Sequence, residues 1–212
     1  MYFIFSNRWI NVILTNTFGC NELKLDSKYT VEEVIDNAVL VARKAIENVD
    51  NTKPRYVALD IGPIGEMLEP MGTLSFDKAY EIFKRQVLQG VKSGVDVIVI
   101  ETMMDLYEAK VAVLAAKENS DLPIFCTMTF DEGGRSFTGC MPECMVATIE
   151  GLGVDAIGVN CSLGPKQLLP IVEKIASRAT VPVMVQANAG LPNIVDGEAI
   201  YDVDAKEFFE GV

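Results

Sequence analysis

The chain has no histidine among its 212 residues. Without an imidazole it holds no Ser-His-Asp triad, no Cys-His nucleophile pair and no His-ligated zinc. Chemistry is left to carboxylates, thiols, amides or a bound cofactor. Basic residues are also scarce, with 18 Lys and Arg against 30 Asp and Glu, a formal charge of -12. Nucleic-acid binders concentrate Lys and Arg, so no nucleic-acid partner is expected. Long apolar runs are missing too. The opening MYFIFSNRW has only a short apolar burst before Ser6, Asn7 and Arg8, too short for a signal segment or a spanning helix. A soluble protein without a membrane partner is predicted. The five cysteines are odd in number, and several sit in apolar, strand-like runs. That pattern predicts reduced thiols in a cytoplasmic setting rather than a disulfide framework.

What is present is a core-forming composition with two alternating periods. Half of the residues are hydrophobic, enough for one large core, so residues 1–212 are expected to form a single domain. From Thr30, apolar residues recur at helical spacing through Val31, Val34, Ile35, Ala38, Ala42, Ala45, Ile46 and Val49, and Thr30 with Glu33 makes a capping box. Further helices are predicted from Asp105 through Ala116, over Ser75 to Ser93, Pro142 to Leu152 and Pro165 to Ala179, and in a short amphipathic stretch from Val203 to Phe209. Pro170 is expected to kink or restart its helix. Between these lie short apolar runs: Val12 to Leu14, Tyr56 to Leu59, Val95 to Ile100, Ile124 to Met128, Ala156 to Val159 and Val181 to Val185. Continuous apolar strands alternating with helices predict an α/β fold whose parallel sheet is covered on both faces.

The polar residues narrow the class. The runs end in Thr15-Asn16-Thr17, Asp60, Glu101-Thr102, Thr127 and Thr129, Asn160-Cys161, and Gln186 and Asn188. Polar groups recurring at strand C-terminal ends suit a (β/α)8 TIM-type barrel, whose active site is built there, better than a doubly wound sheet, which gathers them at one switch point. A full barrel usually needs about 250 residues. The expectation is therefore an incomplete barrel, with about six or seven of the eight βα units present. On the residues alone, Cys161 in AIGVNCSLGP is open to three readings: packed core thiol, nucleophile or metal ligand. A single strand-end cysteine is most often packed, and the lack of histidine disfavours the nucleophile. Cys140 and Cys144 form a C-x3-C without a second pair, and Cys126 reads as core. The glycines of DEGGRSFTG and DIGPIG lack the P-loop pattern and read as loop geometry.

Six segments in order, VILTNTFGCN, ALDIGPIG, IETMMDLYEAK, MTFDEGGRSFTG, GVNCSLGP and QANAGLP, resemble the homocysteine S-methyltransferase family, in particular the homocysteine-binding barrels of cobalamin-dependent methionine synthases. The resemblance covers nearly everything after Val12. It implies a zinc-activated homocysteine thiolate that accepts a methyl group from methylcobalamin, ultimately from methyltetrahydrofolate, with no acid or base residue required. Cys161 matches the first of the family's three zinc thiolates. The other two belong to a Gly-Gly-Cys-Cys-Gly segment that this sequence does not contain, and the family's Asp-Gly-Ala-Met-Gly first strand is not matched by MYFIFSNRWI. Glu101 matches the carboxylate that takes the homocysteine ammonium, and Asn188 matches an amide that can serve as a displaceable metal ligand. Asp60 and Asn16 are expected to line the same substrate site. The implied partners are homocysteine and the folate- and cobalamin-binding modules of a longer enzyme. A barrel truncated at both ends is expected, inactive alone and with open edges that favour self-association. The alternatives are a non-catalytic barrel fragment, or a homocysteine methyltransferase using a small donor such as betaine or S-methylmethionine.

Overall fold

Thr30 adopts the extended conformation of an N-cap, its side chain accepts from the Glu33 amide, and the Glu33 carboxylate accepts from the Thr30 amide. These reciprocal bonds satisfy two otherwise orphaned donors and open α1, Val31–Glu47. Val31, Ile35, Val39 and Ala42 form its buried stripe. The computed structural model describes residues 11–48, 53–190, 192–195, 198–201 and 203–210. The opening MYFIFSNRWI, Val49 and Leu191 of QANAGLP lie outside the described residues.

After β1, Val12–Leu14, and α1, the chain runs through β2, Tyr56–Ile61, and α2, Phe76–Ser93. It continues through β3, Val97–Met103; α3, Leu106–Asn119; β4, Ile124–Met128; and α4, Pro142–Ile149, followed by a short 3-10 turn at Glu150–Leu152. Then come β5, Ala156–Asn160; α5, Pro165–Ala176; and β6, Val183–Gln186. These six strands make one parallel sheet in the order β1-β2-β3-β4-β5-β6. Each strand lies beside its predecessor, which is the order of a (β/α)8 barrel; a doubly wound sheet would reverse direction at its switch point. The fold is α/β, of the incomplete TIM-barrel type, with six barrel strands among the described residues.

The chain divides into two compact units, one formed by the residues up to Glu101 with Val111–Phe125, the other by Thr102–Lys110 with the residues from Cys126 onward. In the first, β1, β2 and β3 pair in parallel, with Leu14 opposite Ala58 and Asp60 opposite Val99. Val57, Leu59, Phe83, Ile98 and Ile100 fill its core. In the second, β5 pairs with β6, placing Gly158 opposite Met184 and Asn160 opposite Gln186. Met128, Met145, Ile149, Ile157, Leu168 and Ile175 are buried there.

Several boundaries depart from the sequence reading. β3 starts at Val97 and runs on through Glu101 and Thr102 to Met103, so Glu101 stands within the strand. α5 ends at Ala176 and continues through Pro170. Pro170 is exposed, opposite the buried stripe of Pro165, Leu168, Ile171 and Ile175, so the carbonyl it leaves without a partner is on the solvent side. An antiparallel pair, β7 (Pro192–Val195) and β8 (Glu198–Tyr201), was not anticipated, and α6 occupies Ala205–Glu210. Among the described residues no helix is long and apolar enough to cross a membrane.

Candidate functional site

The end of β5 is held by one buried amide. Asn160 Oδ1 accepts from the Thr102 backbone N–H at 2.9 Å and from Thr127 Oγ1 at 2.8 Å. Its Nδ2 donates to Thr102 Oγ1 at 2.7 Å and to Cys161 Sγ at 3.3 Å. Asn160 is 2% exposed, so an unmade bond here would leave a polar atom stranded. The backbone around it is unusual as well. Thr102, Cys161 and Ser162 have φ of 62°, 58° and 62°, a region non-glycine residues seldom occupy. The Cys161 amide donates to Gln186 O, the Leu163 amide to Cys161 O, and the Asn188 amide to Leu163 O. These bonds fix the turn that carries Cys161 beside the segment that carries Asn188. Sequence reasoning named Cys161 and Asn188 but assigned Asn160 no role. The signal available was an amide residue directly ahead of the strand-end thiol.

Cys161 and Ser162 are half-buried, and Ser162 borders a cavity of about 530 Å3 also lined by Met104, Thr129, Arg135, Phe137 and Leu163. The other thiols stand apart in environment. Cys20 and Cys126 are buried, and burial pushes them up to about 11 and about 12. Cys140, raised to about 11 first by burial and then by its neighbour Cys144, lies with Cys144 along a different groove with Asp105 and Lys110. Among the described residues no three His, Cys, Asp or Glu side chains converge to hold a metal ion. Structural and catalytic zinc sites use three or four protein ligands, so the single thiol of Cys161 does not by itself fit that ion.

The first unit carries the carboxylates. Asp60 is pinned through its backbone, its N–H donating to Thr15 Oγ1 at 3.1 Å and its carbonyl accepting from Thr17 Oγ1 at 2.8 Å. Thr15 and Thr17 are themselves hydrogen-bonded at 2.7 Å, which holds both hydroxyls against β2. The Asp60 side chain is 7% exposed, and its Oδ1 is buried without a hydrogen-bond partner. Burial, then the charge of Glu101, raises the Asp60 carboxyl to about 8, and burial raises Glu101. The Glu101 charge therefore disfavours ionisation of Asp60. Asn16 is exposed and lines a groove of about 620 Å3 with Lys28, Tyr29, Glu33 and Asn37 along α1.

Comparison with known proteins fits this arrangement. The family model described as homocysteine S-methyltransferase matches residues 5–212. The methionine synthase of Mycobacterium leprae (strain TN) is 29% identical over 211 residues, covering 95% of this chain and 17% of that protein. The methionine synthase of Mycobacterium tuberculosis (strain ATCC 25618 / H37Rv) is 28% identical over 211 residues, covering 95% of this chain and 18% of that protein. The chain thus spans under a fifth of the length of these curated relatives. In structure it is similar to the homocysteine methyltransferase MmuM from Escherichia coli in its oxidized form, with a TM-score of 0.75 at 18% identity over 93% of this chain and 70% of that one. The metallated form of the same protein gives a TM-score of 0.69 at 17% identity, covering 87% of this chain and 68% of that one. At such identities the likeness establishes the barrel-type fold. The family match over nearly the whole sequence, together with the strand order, establishes that the chain belongs to the homocysteine S-methyltransferase family.

Proposed function

We propose that this chain is the homocysteine-binding module of a methionine synthase, with residues 1–212 acting as one domain. In this reading Glu101 and Asp60 are the candidate groups for the homocysteine ammonium, and Cys161 is the candidate thiol ligand. The observation that carries the reading is the β5 end: a thiol held at positive φ and oriented by the Asn160 amide, at a strand terminus where barrels of this type build their sites. An amide that makes three hydrogen bonds to Thr102 and Thr127 and a fourth to the thiol is an unusual use of polar groups for mere packing.

The described residues do not complete a zinc site. We infer that Cys161 supplies one thiolate, that the remaining donors come from beyond the described residues, and that Asn188, whose backbone N–H donates to Leu163 O, is the displaceable ligand. Bound zinc would supply ionisation of the substrate thiol near neutral pH. Methylcobalamin, and methyltetrahydrofolate behind it, belong to other modules, and cytoplasmic location follows from the reduced thiols. The second reading is a barrel fragment that binds without catalysing.

The test is to extend the chain with a Gly-Gly-Cys-Cys-Gly segment and measure zinc retained after dialysis. The reading expects stoichiometric zinc that is lost on Cys161→Ala. Zinc retained undiminished in the Cys161→Ala protein would contradict the ligand assignment.

A further inference from the structure

Asp60 and Glu101 share a face of the sheet. Asp60 pairs with Val99 across β2 and β3, and side chains alternate along a strand, so Glu101, two residues on, projects to the same side as Asp60. With strands about 4.8 Å apart and a rise of about 3.3 Å per residue, such diagonal neighbours stand about 8 Å apart along the backbone, within reach of one cation held by an Asp and a Glu side chain. The groups around Asp60 on the β1 side are the hydroxyls of Thr15 and Thr17, which do not titrate, and both are engaged with the backbone of Asp60. On the β3 side the titratable group is Glu101. Among the described residues, none of the ion pairs involves either carboxylate. What remains is an acid 7% exposed whose buried Oδ1 has no hydrogen-bond partner, with a second acid on the same face of the neighbouring strand.

With Asp60 buried and Glu101 half-buried on the same face of adjacent strands, ionising both without a counter-charge is unfavourable. Resting on the reading of this site as the homocysteine site, we propose that Asp60 and Glu101 together hold one proton in the free chain and release it when a primary ammonium group docks between them. The balance is simple. A protonated Asp60, an ionised Glu101 and an ammonium become two carboxylates bridged by that ammonium, and one proton passes to solvent. No bond to carbon is made or broken. Burial and the Glu101 charge, which raise Asp60 to about 8, are consistent with a proton retained at neutral pH. The consequence for recognition is that an amino acid is bound as a cation paired with proton release, whereas a ligand lacking the amino group meets a neutral acid whose Oδ1 stays unpartnered.

The test uses the full chain in chelator, so that no metal draws a proton from the ligand thiol. L-Homocysteine is titrated by calorimetry at pH 7 in buffers of different ionisation enthalpy, alongside 4-mercaptobutanoate, which keeps thiol and carboxylate but lacks the amine. The proposal expects release of close to one proton per homocysteine bound, none with 4-mercaptobutanoate, and, from the Asp60→Asn chain, weaker binding with no proton released. Homocysteine binding with no proton released, or with release unchanged in Asp60→Asn, would overturn it. Absence of any homocysteine binding would count against the homocysteine reading itself. In that case carbon-13 carboxyl shifts decide the proton question separately, with cysteamine as the ammonium probe. A proton on the pair at pH 7 that cysteamine displaces upholds the proposal; an Asp60 already ionised at pH 6 in the free chain, or unmoved by cysteamine, overturns it.

Discussion

Asn160 Nδ2 lies 3.3 Å from Cys161 Sγ, and the same side chain bridges Thr102 and Thr127, so the candidate thiol is fastened to the ends of two other strands through a single amide. Removing that amide removes the orientation of the thiol and strands the partners it satisfied. Asn160→Ala is expected to destabilise the chain by about 2–4 kcal/mol, from several buried hydrogen bonds at about 1 kcal/mol each plus the penalty for groups left unpaired. Urea unfolding checks this. A midpoint equal to that of the parent chain would mean that the network contributes nothing.

Gly158 gives a sharper test of the strand beneath. A Cβ there would stand 1.8 Å from the carbonyl oxygen of Met184, the residue directly opposite in β6, and a backbone atom cannot step aside as a flexible side chain would. Gly158→Ala should cost about 3 kcal/mol or more, at the severe end of overpacking. Soluble expression and thermal unfolding measure it. A fully stable Gly158→Ala chain would show that β5 and β6 do not pair in this register.

Stability should fall as pH rises through neutrality. The Asp60 carboxyl is raised to about 8 by burial and by Glu101, above its unfolded value of about 3.9, so between these pH values the folded chain binds more protons than the unfolded one. Stability is then greatest below about pH 4 as far as this group is concerned, and is lost progressively up to about pH 8. Asp60→Asn should flatten the slope and leave the protein more stable at pH 8. An identical slope in the variant would show that Asp60 ionises normally.

Thiol accessibility should follow burial. Cys20 and Cys126 are buried and raised to about 11 and about 12, whereas Cys144 is exposed. Since the thiolate is the nucleophile, iodoacetamide at pH 7.5 should label Cys144 well before Cys20 or Cys126, with the last two reacting only on unfolding. Mass spectrometry of quenched samples reads the order. Early labelling of Cys126 would contradict its place in the core.

How much of this was legible in the sequence depends on the range of the interaction. The capping box at Thr30 and Glu33 is local, and local chemistry placed that helix start. Barrel order was readable because polar residues recur at successive strand ends. The Asn160 network was not, since Thr102 lies 58 residues away and pattern carries no information about that contact. The extension of β3 was missed because Glu101 and Thr102 end the apolar run while the backbone ladder continues. For β7 and β8, Asp196-Gly197 in the sequence is the dipeptide that two-residue hairpins favour, a signal left unused. That Asp60 would be an orphaned buried acid depends on the packing around it, which composition does not reveal.

The central claim is that this chain recognises homocysteine with Glu101 facing the ammonium, and equilibrium titration of L-homocysteine into the full chain and its Glu101→Gln variant addresses it most directly. A charge-assisted hydrogen bond to an ionised group is worth about 1.5–3 kcal/mol, so the account predicts saturable binding weakened about ten- to a hundredfold by the substitution. Undetectable binding by the parent chain, or equal affinity in the variant, would contradict it.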